Sequence, residues 1–264
     1  MIYCVWYPSG GFGHFVNAIL TLHGDNFVRP KNNLEFSPVG DSHQLDLVAP
    51  KYFKNQYVKF DFLDEKNYCV LVDNGINDEG EQFKQFFPTA TTIKICYSDR
   101  TWPIVARTLI DKAMRSNIDQ ELTLDNWDSN EDWARREKYF LFLRDHALRY
   151  AWKSTTTTML FVDDLLDYNC LFDKLNSVVK IEPFEQLWLS WYSANSKYIE
   201  PCKIAQNIIS QIKLNQTCDI SAIKDIWTQA VVYYYVWIEF GVEVPHNDFC
   251  NFFTNTDQIA RLVI

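Results

Sequence analysis

The chain has 264 residues, a formal net charge of −9, 47% hydrophobic and 22% charged residues. That composition excludes a mainly disordered chain, and the acidic balance excludes a protein whose main task is neutralising nucleic-acid phosphates. No apolar run reaches the roughly 18 residues a spanning helix needs, so no transmembrane segment and no membrane partner is expected.

The opening run Met1-Ile2-Tyr3-Cys4-Val5-Trp6-Tyr7 lacks basic residues and a small-residue cleavage site, so it reads as a buried strand and not as a signal peptide. The strand is predicted over Ile2 to Tyr7. Pro8-Ser9-Gly10-Gly11-Phe12-Gly13 ends it, and an amphipathic helix starts near His14 and reaches His23, with Gly24 as its cap. Short strands are expected at Gln44 to Ala49 and Tyr57 to Phe62, clearer ones at Tyr68 to Val72 and Thr91 to Tyr97. A helix follows from about Pro103 to Arg115. Asp132 to Trp152 has helical apolar spacing, and Thr155 to Val162 reads as a fourth core strand. Helices are predicted over Pro183 to Tyr198, Pro201 to Leu214 and Ile220 to Phe240. Strands alternating with helices imply an α/β fold with a mainly parallel sheet. The expected organisation is one domain, 1–264. Its sheet core spans about 1–115 and 155–166, and its helical part about 118–152 and 183–264, the C-terminal helices packing on the sheet. Seven cysteines, none in a CxxC pair and several inside apolar runs, point to buried reduced thiols and a cytoplasmic protein. No His/Cys/Asp cluster has ligand spacing, so no metal is expected.

Three of the eight glycines fall within four residues, Gly10, Gly11 and Gly13. A strand, a glycine-rich turn and a helix N-terminus in that order aim backbone N–H groups at one spot, which favours an anion. The patterns GxxxxGK[ST] and GxGxxG are both absent, and a tight turn without ligand is the competing reading. A second signal lies at Tyr97-Ser98-Asp99-Arg100, after the Thr91 to Tyr97 strand. In a parallel sheet that strand end shares a rim with the glycine turn, and Arg100 is suited to bidentate phosphate contact. A surface ion pair is the plain alternative for Arg100.

Together these stretches resemble the cytosolic-type sulfotransferases, which use the sulfate donor PAPS on a P-loop-like, three-layer α/β fold. The family's first motif, Tyr-Pro-Lys-Ser-Gly-Thr-Thr, stands opposite Tyr7-Pro8-Ser9-Gly10-Gly11-Phe12-Gly13, with Tyr7, Pro8 and Gly11 in register. Its second motif keeps its spacing at Tyr97, Arg100 and Thr108. Met159-Leu160-Phe161-Val162-Asp163-Asp164 is similar to the strand and acidic helix start that follow later in the family. The resemblance implies that Ser9, Gly10, Gly11, Phe12, Gly13 and His14 hold the 5′ end of PAPS or its product PAP. It implies that Arg100 and Thr108 hold the 3′-phosphate, and that the acceptor is a hydroxyl or amine of a small molecule or glycan. Ser9 replaces the family's loop lysine, so another cation or a changed activity is implied; Lys51, Lys54, Lys94, Arg107 and Lys112 are candidates. Sulfuryl transfer needs a base, and His14, at the edge of the turn, and His43, on a second loop, are the candidate catalytic residues. His146 reads as a solvated helix residue. Two further readings compete. Gly10-Gly11-Phe12-Gly13-His14 resembles the glycine loop of some fucosyltransferases, although no His-x-Arg-x-Gly-Asp segment occurs. The aromatic runs Tyr233-Tyr234-Tyr235-Val236-Trp237 and Trp188-Leu189-Ser190-Trp191-Tyr192 fit a non-catalytic protein on a degenerate nucleotide fold.

Overall fold

The computed structural model describes residues 1–8, 10–28, 65–73, 87–116, 132–147, 158–214 and 223–242. The predicted strands Gln44 to Ala49 and Tyr57 to Phe62 lie outside these residues. The chain divides into two compact units, 1–98 with 152–196 and 99–151 with 197–264.

The first unit is α/β. Among the described residues its sheet has four parallel strands, β1 (Ile2–Tyr7), β2 (Tyr68–Asp73), β3 (Thr91–Cys96) and β4 (Thr158–Phe161), in the order β2-β1-β3-β4. Ile2 pairs with Tyr68 on one side, and Tyr3 pairs with Thr91 on the other. The central place of β1 explains its unbroken apolar run: residues 3–7 are all buried, as a strand covered on both faces requires. Helix α1 (Gly13–His23) packs along β1 and β2 and buries Phe15, Val16, Ala18, Ile19 and Leu20. Its two buried polar side chains satisfy each other, Thr21 Oγ1 donating to Asn17 Oδ1 at 3.2 Å. Gly24 ends the helix with an extended φ of −73°, not the left-handed turn a glycine cap usually supplies. Glycine is needed there for space: a Cβ would lie 2.3 Å from the Leu20 carbonyl and 2.5 Å from the Phe27 ring.

After β4 the chain makes one short helical turn, α2 (Val162–Leu165), before α3 (Tyr168–Val178) and α4 (Glu185–Ala194). Helix α3 was not expected from the pattern. Only Leu171 and Leu175 of it are buried, too narrow a stripe to announce a helix, and Asp167 starts it by accepting from the Cys170 N–H at 2.9 Å. Asp164 ties this region together. Its carboxylate accepts from the Phe161 N–H at 2.7 Å, from Lys174 Nζ at 2.6 Å and from the Cys170 thiol at 3.3 Å. Burial, and then the hydrogen bond to Asp164, raise the Cys170 thiol above its ordinary value.

The second unit is helical: α5 (Trp102–Ser116), α6 (Asp132–Ala147), α7 (Ser196–Lys213), which it holds from Lys197 onward, and α8 (Ile226–Phe240). Helix α8 buries residues from Trp227 to Val236 almost continuously, which explains its aromatic richness. Asp225 caps its start through the Thr228 N–H at 2.8 Å, and Gly241, with φ 66°, closes its end. Helix α6 lies against α8, with Tyr139 edge-on to Trp227 at 5.1 Å. Trp102 Nε1 donates to the Leu143 carbonyl at 2.9 Å, joining α5 to α6. The break expected before Pro201 is absent, and Pro201 sits inside α7. The chain breaks earlier, at Asn195, whose Nδ2 donates to the Trp191 carbonyl at 2.8 Å. The one backbone bond that Pro201 forgoes is offset by burial of its ring.

Among the described residues, no helix is long and apolar enough to cross a membrane. Among the described residues, Cys4, Cys69, Cys96, Cys170 and Cys202 are not joined in disulfides.

Candidate functional site

In a parallel sheet all carboxyl ends share one edge. Ligands of open α/β sheets bind at that edge, where the strand order reverses. Here the reversal lies between β1 and β3. The glycine turn follows β1, and Tyr97 and Ser98 follow β3.

The turn is built by steric fit. The Gly11 N–H donates to the Pro8 carbonyl at 2.7 Å, and Gly10 has φ 78°, a conformation a side chain would strain. A Cβ on Gly11 would lie 2.8 Å from the Pro8 ring. A Cβ on Gly13 would lie 2.1 Å from Cδ1 of Tyr7, so the Tyr7 ring covers the first residue of α1. Phe12, the residue before α1, has φ 62° and ψ 24°, an uncommon left-handed conformation for a bulky side chain. Aromatic packing holds it there: its ring meets Trp191 edge-on at 5.2 Å, and Phe15 stacks on the same indole at 4.4 Å. Trp191 is fully buried and comes from α4, so sequence reasoning missed it as a support of the turn.

Two consequences follow for chemistry. Phe12 has no side-chain oxygen, so it does not cap the first amides of α1. The charge that a helix N-terminus favours at this point is negative. His14 stands in the first turn of α1, and its Nε2 shares a hydrogen bond of 3.1 Å with the Tyr7 hydroxyl. The tyrosine fixes one ring nitrogen, which orients the imidazole.

At the neighbouring strand ends, Ser98 Oγ donates to Asp163 Oδ1 at 3.1 Å, joining the end of β3 to the start of α2. Asp163 is exposed on the rim. The acidic doublet at 163–164 is visible in the sequence, but its pairing with Ser98 spans 65 residues and has no local signal.

Arg100 and Thr108 belong to the second unit. Arg100 is 56% exposed and its guanidinium meets Glu239 Oε1 at 2.5 Å. Its backbone carbonyl accepts from the buried Tyr235 hydroxyl. The other oxygen of Glu239 meets Lys213 Nζ at 2.5 Å. Lys213 first, and then Arg100, hold the Glu239 carboxyl below its ordinary value. Thr108 Oγ1 donates to the Val105 carbonyl at 2.7 Å, within its own helix.

Of the candidate replacements for the loop lysine, Lys94 is buried in β3 at 3% exposure, with Nζ 4.4 Å from the centre of the Trp6 indole. Trp6 and Lys94 are register partners, so Lys94 leaves the sheet on the face opposite Tyr7. Arg107 lies in the second unit, paired with Asp111 at 3.1 Å and 5.3 Å from the Trp227 ring. Ser9, His43, Lys51 and Lys54 lie outside the described residues, as do the side chains of Lys112 and His146. Among the described residues, no group of three or more His, Cys, Asp or Glu side chains is placed to hold a metal ion.

Comparison of the chain with protein-family models, with curated proteins and with solved structures finds no match.

Proposed function

We propose that the protein binds a 3′-phosphoadenosine nucleotide and transfers a sulfuryl group from PAPS to a hydroxyl or amine of a small molecule or glycan. One observation carries this: the glycine turn stands at the carboxyl end of the central strand, where the parallel sheet reverses its order. The amides opening α1, which Phe12 does not cap, suit the phosphosulfate end of the donor. The sulfotransferase resemblance assigns the 3′-phosphate to Arg100 and Thr108; Arg100 is half exposed, whereas the Thr108 hydroxyl is directed to the Val105 carbonyl. His14, whose Nε2 is joined to the Tyr7 hydroxyl, takes the acceptor's proton by way of that hydroxyl as the acceptor bonds to sulfur and the bond from sulfur to the phosphate oxygen breaks. With Ser9 in place of lysine, the leaving phosphate is held by amides alone on this side. Slow turnover is the expected consequence.

A thermal-shift screen with PAP, PAPS, GDP-sugars, ADP and ATP tests the proposal. Stabilisation by PAP and PAPS beyond that by ADP is expected. Stabilisation by GDP-sugars alone would replace it with glycosyl transfer, and no response to any nucleotide would leave a non-catalytic protein.

A further inference from the structure

The pair on Arg100 bears on how a phosphate would reach it. Glu239 bridges two cations with its two oxygens, Arg100 Nη2 at 2.5 Å and Lys213 Nζ at 2.5 Å. The cations arrive from the loop after β3 and from the end of α7, and the carboxylate from α8. The carboxylate is the shielded member, 15% exposed, while Arg100 and Lys213 are 56% and 48% exposed. An anion from solution therefore meets the cations without any change in the core. The three charges sum to one positive charge, which is attractive to a phosphate.

We propose that Glu239 is a placeholder for the 3′-phosphate and that Lys213 is the second cation of that phosphate's site. The proposal rests on the nucleotide reading above and adds to it an internal competitor. A phosphate offers two oxygens to the same two cations and carries more charge than the carboxylate, so it displaces Glu239 and keeps both pairs. Arg100 stays in place during the exchange, because its carbonyl is held by Tyr235, one turn before Glu239 on the same helix. Thr108 is a poorer second partner than Lys213, since its hydroxyl hydrogen is directed to the Val105 carbonyl. The competitor also sets selectivity: a nucleotide without the 3′-phosphate gives no compensation for displacing Glu239.

The test is calorimetric titration of PAP and ADP into the wild-type protein, Glu239→Gln, and the double variant Glu239→Gln/Lys213→Ala. Glutamine keeps the shape and removes the charge. Glu239→Gln is expected to bind PAP about three- to tenfold tighter than wild type, with ADP unchanged. The added Lys213→Ala is expected to reverse that gain. Equal or weaker PAP binding by Glu239→Gln, or an equal gain for ADP, overturns the placeholder and leaves the nucleotide reading standing. If neither protein binds PAP, the nucleotide reading fails, and inorganic phosphate decides the placeholder. Phosphate bound by Glu239→Gln, and lost on Arg100→Ala, retains a phosphate site for another ligand. No phosphate bound by Glu239→Gln overturns it.

Discussion

The turn after Ile2–Tyr7 and the segment around Arg100 each follow a strand of the same parallel sheet, yet different forces hold them. The turn is fixed by shape: glycines where a methyl group has no room, and a Phe12–Trp191–Phe15 aromatic stack beneath. The Arg100 segment is fixed by charge, with Glu239 shared between two half-exposed cations. Shape tolerates almost no substitution and is indifferent to pH and salt. Charge near a surface tolerates substitution well and responds to both.

Substitutions in the two regions should therefore differ in size and in kind. Trp191→Ala removes the fully buried indole under the turn and should cost about 3–5 kcal/mol, measured by urea unfolding. A loss below about 1 kcal/mol would mean that the turn does not depend on the stack. Gly13→Ala should cost about 1–3 kcal/mol by driving a methyl group into the Tyr7 ring. The penalty should shrink in a Tyr7→Ala background; an unchanged penalty would place the strain elsewhere. In the helical unit, Asp225→Ala should cost about 1 kcal/mol, through loss of the cap on the Thr228 N–H. Thermal melts of this variant and of Asp225→Asn, which keeps an acceptor, would separate the cap from the charge.

The smallest effect is expected at Glu239. Glu239→Gln should change stability by less than about 1 kcal/mol at neutral pH. Its signature lies in acid. The Glu239 carboxyl sits below its ordinary value of 4.5, held there chiefly by Lys213. The stability it contributes is complete above that ordinary value and is lost as pH falls below it, through the lowered native value. Melting temperatures of the wild type and Glu239→Gln should differ at pH 7 and converge as pH falls toward 3. Parallel curves would show that the pair contributes nothing to stability.

What the sequence discloses follows the same division. Strands β1 to β3, helix α1 and the glycine turn are legible because each is a local pattern: a continuous apolar run, a 3.6-residue period, glycines in a cluster. The α/β class with a parallel sheet follows from their alternation. The side-chain pairs of the two units are not local. Ser98 meets Asp163 across 65 residues in the first unit and Arg100 meets Glu239 across 139 in the second, and no period or motif connects them. Where local rules were misleading, tertiary packing overrode them. Pro201 does not break α7 because its ring is buried, and α3 forms on two buried leucines and a cap. Gly24 is required for close approach to the Leu20 carbonyl, a reason that only the fold discloses.

The register of β1 has a consequence for biosynthesis. This strand precedes both of its partners in the chain, and it completes its hydrogen bonding only with residues 68–73 and 91–94. Until those residues leave the ribosome, a strand whose residues 3–7 are all buried in the folded unit has no partner strand. Pairing over such sequence distances is slow, because a long loop must close before any contact rewards it. The nascent chain thus carries an unpaired, aggregation-prone strand until its second partner is made, and α1, which needs only its own residues to form, is the first element able to shield it.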